Sequence, residues 1–481
     1  MLLRGGARAR AAAAVTPLAF ALLAFALLAA PRSFALQPSA QPAARQSPAW
    51  LRDAIIYEVF PRDFSPEGNF NGITQQLDRL EELGVTVIWL MPIHPVGKLN
   101  AKGSLGSPYA VRDYDAINPA YGSGDDLQRL VDGAHRRSMK VFIDIVANHT
   151  AWDSVLLEKH PDWYHHDAAG KIVPPNPDWV DVAHLDYSSA ALRQYMTGMM
   201  VRWVRDFGLD GFRCDYAAGV PRDYWESLRA ALDQARPGTV LLAEADDPAL
   251  LLRAFDFDYA WDFYHAADDV VRGHLPASAL RDVWERAAAR YPRGALRLRF
   301  FDNHDELRAT ARAGLPAALA ASALMFTLDG VPLLYNGMEI GDTTESAAPA
   351  LFERMPIVWS MAERRPQVNA YYRALATLRR THPAFTRGAL RWLRNSDEQR
   401  VTSFERADTG ESLVIAINLS SQAFAGVVET DRGSDNGRLN GEYRDITPSG
   451  LPADSPQSRV SLPAIFLGPW EFRVYSRGPP K

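Results

Sequence analysis

From Ala54 onward, short apolar runs alternate with longer stretches in which apolar positions recur every three or four residues. The first pattern predicts strands and the second amphipathic helices. Strands are expected at Ile55–Phe60, Val85–Pro92, Lys140–Val146, Gly211–Asp215, Val240–Glu244, Phe255–Tyr259, Leu296–Phe301 and Val331–Tyr335. Helices are expected at Ile73–Leu83, Gly124–Ser138, Ala190–Phe207, Asp223–Ala235, Ala277–Arg290, Ala317–Thr327 and Val368–Arg380, with a short one near Pro248–Arg253. The strands are apolar almost throughout, which suits a parallel sheet covered on both faces. Eight strands separated by helices close most economically into an α/β fold of the (β/α)8 barrel type, here over residues 50–383.

Two regions break the repeat. The connection after strand three, residues 150–187, is too long for a βα loop and rich in Trp, Tyr, His, Pro and Asp; it predicts a small inserted domain. After Ala384 the alternation stops, and β-type runs follow at Val401–Glu405, Leu413–Asn418, Ala423–Val428, Ser461–Leu467 and Glu471–Tyr475. They predict a C-terminal all-β sandwich over residues 384–481.

The start of the chain changes the picture of where it works. Arg4, Arg8 and Arg10 precede an apolar run from Val15 to Ala30, and Ser33-Phe34-Ala35 offers small residues at a cleavage site. This predicts a signal peptide over 1–35 and an exported protein, periplasmic or extracellular, with a flexible lead-in over 36–49. Removing 1–35 takes away four arginines and no acids, so the formal charge moves from −5 to −9. An acidic product argues against nucleic-acid binding, and no membrane contact is expected once the signal is cleaved. The single cysteine, Cys214, excludes an intramolecular disulfide and reads as a core residue.

In a (β/α)8 barrel, chemistry gathers at the C-terminal strand ends. Here strand three ends in Asp144-Ile-Val-Ala-Asn148-His149, strand four in Arg213-Cys-Asp215, strand five in Glu244 and strand seven in Asp302-Asn303-His304-Asp305. Arg213 and Asp215 share a strand face, so the guanidinium favours an ionised Asp215. Three acids crowded at one mouth push their pKa values apart, the separation that a nucleophile and a proton donor require. Taken singly, each reads as readily as a buried ion pair, a solvated strand end or a satisfied histidine. The rival use of such a cluster is a metal site, yet no His-x-x-x-His or comparable spacing occurs among them. Paired carboxylates beside aromatic-rich loops point to glycoside chemistry.

The four blocks 144–149, 211–215, 241–244 and 300–305, in that order, resemble the signature regions of the α-amylase family of glycoside hydrolases. Ile56-Tyr-Glu-Val-Phe-Pro-Arg-Asp-Phe64, Ser107-Pro-Tyr-Ala-Val-Arg-Asp-Tyr114 and Gly330–Gly341 match as well. The resemblance implies that Asp215 is the nucleophile, Glu244 the general acid/base and Asp305 the third carboxylate. Arg213 would hold Asp215 ionised, braced by Asp144; His149 and His304 would hydrogen-bond the sugar, and Tyr109 would stack beneath it. It further implies cleavage of α-1,4-glucosidic bonds with retention, and α-glucans or malto-oligosaccharides as substrates. No cofactor is implied for the chemistry. Asn148 matches a family calcium ligand, so a structural calcium is allowed. The oligomeric state is left open.

A transglycosylase would use the same three carboxylates, with a sugar in place of water as acceptor. A non-catalytic sugar-binding relative would be expected to lack one of them. The chain departs from the family where many members carry a Lys-His pair after the nucleophile: here stand Ala217-Ala218-Gly219. The lost grip and the short insertion predict a preference for soluble malto-oligosaccharides over raw starch, with little dependence on calcium.

Overall fold

The computed structural model describes residues 41–344, 347, 350–429, 441–448 and 459–477; the expected signal peptide lies outside them. All eight predicted barrel strands form. They run Ile56–Val59, Val87–Leu90, Lys140–Val146, Gly211–Asp215, Val240–Ala243, Phe257–Tyr259, Leu296–Arg299 and Val331–Tyr335, all parallel, and close into a barrel with the first pairing both the second and the eighth.

The period of two along each strand divides two cores. Ile56, Trp89, Phe142, Leu242, Phe257, Leu298 and Leu333 fill one buried cluster, the barrel lumen. Their neighbours in sequence, such as Tyr57, Ile88, Ile143 and Phe212, join the outer cluster beneath the helices. Since Phe212 and Cys214 face outward, Arg213 and Asp215 must face inward. Gly211 makes this packing feasible: a Cβ there would lie 2.6 Å from the Phe142 ring.

Helix starts and stops follow local chemistry. Ser123 and Asp126 form a reciprocal capping box at the head of Gly124–Arg136. Helix Ala190–Phe207 ends at Gly208, whose φ of 66° suits the turn into strand four. The expected helix over Ile73–Leu83 forms as two, Phe70–Thr74 and Leu77–Leu83. Helix Trp261–Val271 was not expected at all, because Trp-Asp-Phe-Tyr-His opens it with strand-favouring aromatics.

Between strand three and helix Ala190–Phe207, the insertion holds a two-stranded ribbon, His149–Ala151 against Val182–His184, and the short helix Val155–Lys159. The C-terminal region forms a six-stranded and a three-stranded antiparallel sheet around Val401, Val414, Phe424, Ile465 and Leu467. Strands Ala389–Trp392 and Gly441–Asp445 add to the predicted set, and Pro463 divides the run at 461–467 into two strands. Helix Leu315–Thr327 is buried nearly all round, since the barrel covers one side and this β region the other, where Arg406 donates to the Thr327 carbonyl at 3.2 Å.

Candidate active site

Strand register builds the centre. Asp144 on strand three pairs with Arg213 on strand four, which pairs in turn with Leu242 two residues before Glu244. The fully buried Arg213 guanidinium becomes a hub. Its Nη1 donates to Asp144 Oδ1 and Oδ2, at 3.0 and 3.1 Å, and to Asp215 Oδ1 at 2.9 Å. Its Nη2 approaches Glu244 Oε1 at 2.8 Å but makes no directed hydrogen bond there, so the contact is one of charge. Trp89, Tyr109 and Tyr259 surround the cation, with ring centroids 5.5, 5.5 and 5.9 Å away.

A second line of partners reaches the hub from strand one. The buried Glu58 pairs with His304 Nδ1. His304 Nε2 donates to the Tyr109 hydroxyl at 2.7 Å, and this hydroxyl donates to Asp144 Oδ2 at 3.2 Å. Tyr109 stacks on the His304 ring at 5.3 Å. Asp305 lies 3.3 Å from the same Nε2, in a turn closed by Asn303, whose side-chain oxygen accepts from the Asp305 and Glu306 N–H groups.

The electrostatics follow from burial first. Burial pushes the Glu244 carboxyl up to about 7, with Arg213 opposing and Asp215 and Asp305 adding to the rise. Burial likewise lifts Asp215, to about 6, again against the pull of Arg213. Asp215 accepts a directed hydrogen bond from Arg213 while Glu244 has only a charge contact with it, which favours the carboxylate at Asp215, as a nucleophile needs, and the proton at Glu244, as a donor needs. Burial pulls His304 down, but Asp305 and Glu58 outweigh it and raise it to about 9, so it stands as a cation. Burial and the neighbouring His184 lower His149 to about 3, so it is neutral.

These groups bound a cavity of about 530 Å3. Asp215, Glu244, Asp305, Tyr109 and His149 line it, while Arg213, Asp144 and His304 stand behind the wall. Two carboxylates of unequal acidity on one guanidinium can attack an acetal carbon and protonate its leaving oxygen.

The α-amylase catalytic-domain family model matches residues 31–407. The chain belongs to the α-amylase family. As a member it is a glycoside hydrolase, and the family's chemistry needs no cofactor. The α-amylase MalA of Haloarcula japonica is 29% identical over 424 residues, 84% of this chain and 61% of that protein, so the chain spans under two thirds of that relative. A Bacillus cyclomaltodextrinase is 26% identical over 421 residues, 78% of this chain and 74% of that one. The solved structure of a noncanonic maltogenic α-amylase, AmyB of Thermotoga neapolitana, superposes with a TM-score of 0.81 at 31% identity, covering 89% of this chain and 100% of that one. An α-amylase of Lactobacillus plantarum gives 0.78 at 32%, covering 89% and 99%.

This α-amylase-family site also holds residues to which sequence reasoning gave no part. Glu58 carries a readable signal, a carboxylate on the lumen face of a barrel strand. Trp179, Tyr216, Asp246 and Trp261 line the cavity too. Asp246 is fixed by Arg290, Arg297 and Tyr291, a set scattered over more than forty residues that no local pattern unites. Asn148 is buried beside His149, with its Oδ1 unpartnered. Calcium takes about six to eight oxygens, and no group of three His, Cys, Asp or Glu side chains among the described residues is placed to hold a metal.

Proposed function

We propose that the chain hydrolyses α-1,4-glucosidic bonds in malto-oligosaccharides and soluble α-glucans by double displacement. The single observation that carries this is Asp215 and Glu244 on neighbouring nitrogens of one buried guanidinium, with Asp305 lining the same cavity. That arrangement favours the short carboxylate spacing of a retaining enzyme, about 5–5.5 Å, over the wider gap that admits a water for inversion. Asp215 attacks the anomeric carbon while Glu244 protonates the departing oxygen. The glycosyl ester is then attacked by water, whose proton passes to Glu244 as Asp215 leaves. Relatives described as α-amylase, cyclomaltodextrinase and maltogenic α-amylase support this substrate class.

NMR of products freshly released from maltoheptaose tests it. The α-anomer is expected first; first release of the β-anomer, or no cleavage, overturns the reading. Faster attack on soluble starch than on maltoheptaose, together with inactivation by a chelator, would overturn the preference for short chains and the independence from calcium. We also propose export, on the strength of the Arg-rich start and the Ser33-Phe34-Ala35 site. One relative, 26% identical, is described as an intracellular maltogenic amylase, so N-terminal sequencing decides: a mature start near Leu36 is expected, and recovery of Met1 refutes it.

A further inference from the structure

We propose that Tyr216, propped edge to face by Trp179, forms an aromatic platform for the sugar ring on the leaving-group side of the scissile bond. The inference rests on the hydrolase reading above and names residues that set its specificity.

Tyr216 directly follows Asp215 and is held at φ 40°, in the left-handed region that bulky residues rarely enter. The residue is 44% exposed and lines the cavity wall. A strained backbone that displays a large apolar ring to water serves no packing purpose, and such outliers gather at ligand sites. The same turn aims the Tyr216 N–H at Glu244 Oε2, 2.7 Å away. Since Glu244 serves the leaving oxygen, the ring beside it lies on the leaving-group side.

Two neighbours fix the ring. Trp179 meets it edge to face, centroids 5.2 Å apart at 75°, and packs on Ala110, Ala151 and Val182. Beneath it is Gly219, where a Cβ would stand 2.5 Å from the Tyr216 ring carbons. Glycine at 219 is thus what lets the ring occupy this place. The Ala217-Ala218-Gly219 segment withdraws charged side chains and admits a flat apolar surface, which suits the C–H face of a pyranose.

The test compares maltotetraose, whose leaving group is a sugar, with α-maltosyl fluoride, whose leaving group has no ring to stack. The ratio of kcat/KM for maltotetraose to that for the fluoride is expected to fall about tenfold in Tyr216→Ala, equivalent to roughly 1.4 kcal/mol of stacking. Trp179→Ala should lower it in the same direction, and Tyr216→Phe, which keeps the ring, should stay close to wild type. An unchanged ratio in both alanine variants overturns the platform. So does equal loss on both substrates, which would make Tyr216 a support for Glu244 alone, or a loss in Tyr216→Phe matching that in Tyr216→Ala. Wild-type protein that cleaves neither substrate overturns the hydrolase reading itself, an outcome told apart because it needs no variant.

Discussion

Replacing Asp144 by asparagine should move the acid limb of the pH profile downward. Asp144 and Asp215 both bond Arg213 Nη1, at 3.0 and 2.9 Å, so their nearer oxygens are at most about 6 Å apart. Like charges at that distance repel by about 2.8 kcal/mol at an effective dielectric of about 20, or roughly two pKa units. Burial is the largest cause of Asp215's rise to about 6, and Asp144 adds to it against Arg213. The neutral amide of Asp144→Asn would remove the repulsion and free Nη1 for Asp215, and both effects favour the carboxylate. The acid limb of kcat/KM on a malto-oligosaccharide, measured over about pH 4 to 9, should therefore shift down by about one to two units. The absolute rate should fall too, since the Tyr109 hydroxyl loses its charged acceptor. An acid limb that stays in place, or moves up, would refute the claim that this hub sets the nucleophile's ionisation.

Three further outcomes are expected. Asp215→Asn and Glu244→Gln should each lower kcat by about four orders of magnitude or more while leaving the folded circular-dichroism spectrum intact; near-wild-type turnover removes that residue from the mechanism. Burial raises Asp258 from 3.8 to about 8 despite Arg297 and Tyr291, so its contribution to stability is full below about pH 4 and is lost as pH rises through 8. Urea unfolding across that window should show a shallower decline in Asp258→Asn than in wild type, and an identical slope would contradict the assignment. Glu58→Gln should lower the His304 titration from about 9, readable by NMR of the imidazole; no movement would mean that Asp305 alone sustains the cation.

The barrel was legible because its strands are short, mostly apolar runs separated by helical patterns, and strands three, four, five and seven close on polar residues that also mark their direction. Helix Trp261–Val271 was not, since its opening aromatics, Trp261 at the cavity and Phe263 and Tyr264 in the core, read locally as strand. In the C-terminal region, strand Gly441–Asp445 carries Glu, Arg and Asp among five residues, and pairing across the sheet overrides a pattern too polar to detect. The residues named for the site lie close together in two layers, one lining the cavity and one behind it, which a linear reading merges. Whether a side chain touches substrate or touches the residue that does is decided by register, and His304 behind Tyr109 is the case in point.

The segment after the nucleophile shows how far a loss in sequence can mislead. Beside the family pattern, Ala217-Ala218-Gly219 is a deletion of function, two charged side chains gone and nothing in their place. In three dimensions the same small residues are a condition for something else, because the Tyr216 ring cannot lie over any side chain larger than hydrogen at 219. Charged hydrogen bonds of about 1.5–3 kcal/mol each are directional and select one hydroxyl pattern, whereas a stacked ring accepts any pyranose face presented at the right height. A leaving-group side built on apolar contact should therefore tolerate varied sugars there while holding each less tightly, and short soluble chains, which exchange quickly, are the substrates such a site serves best.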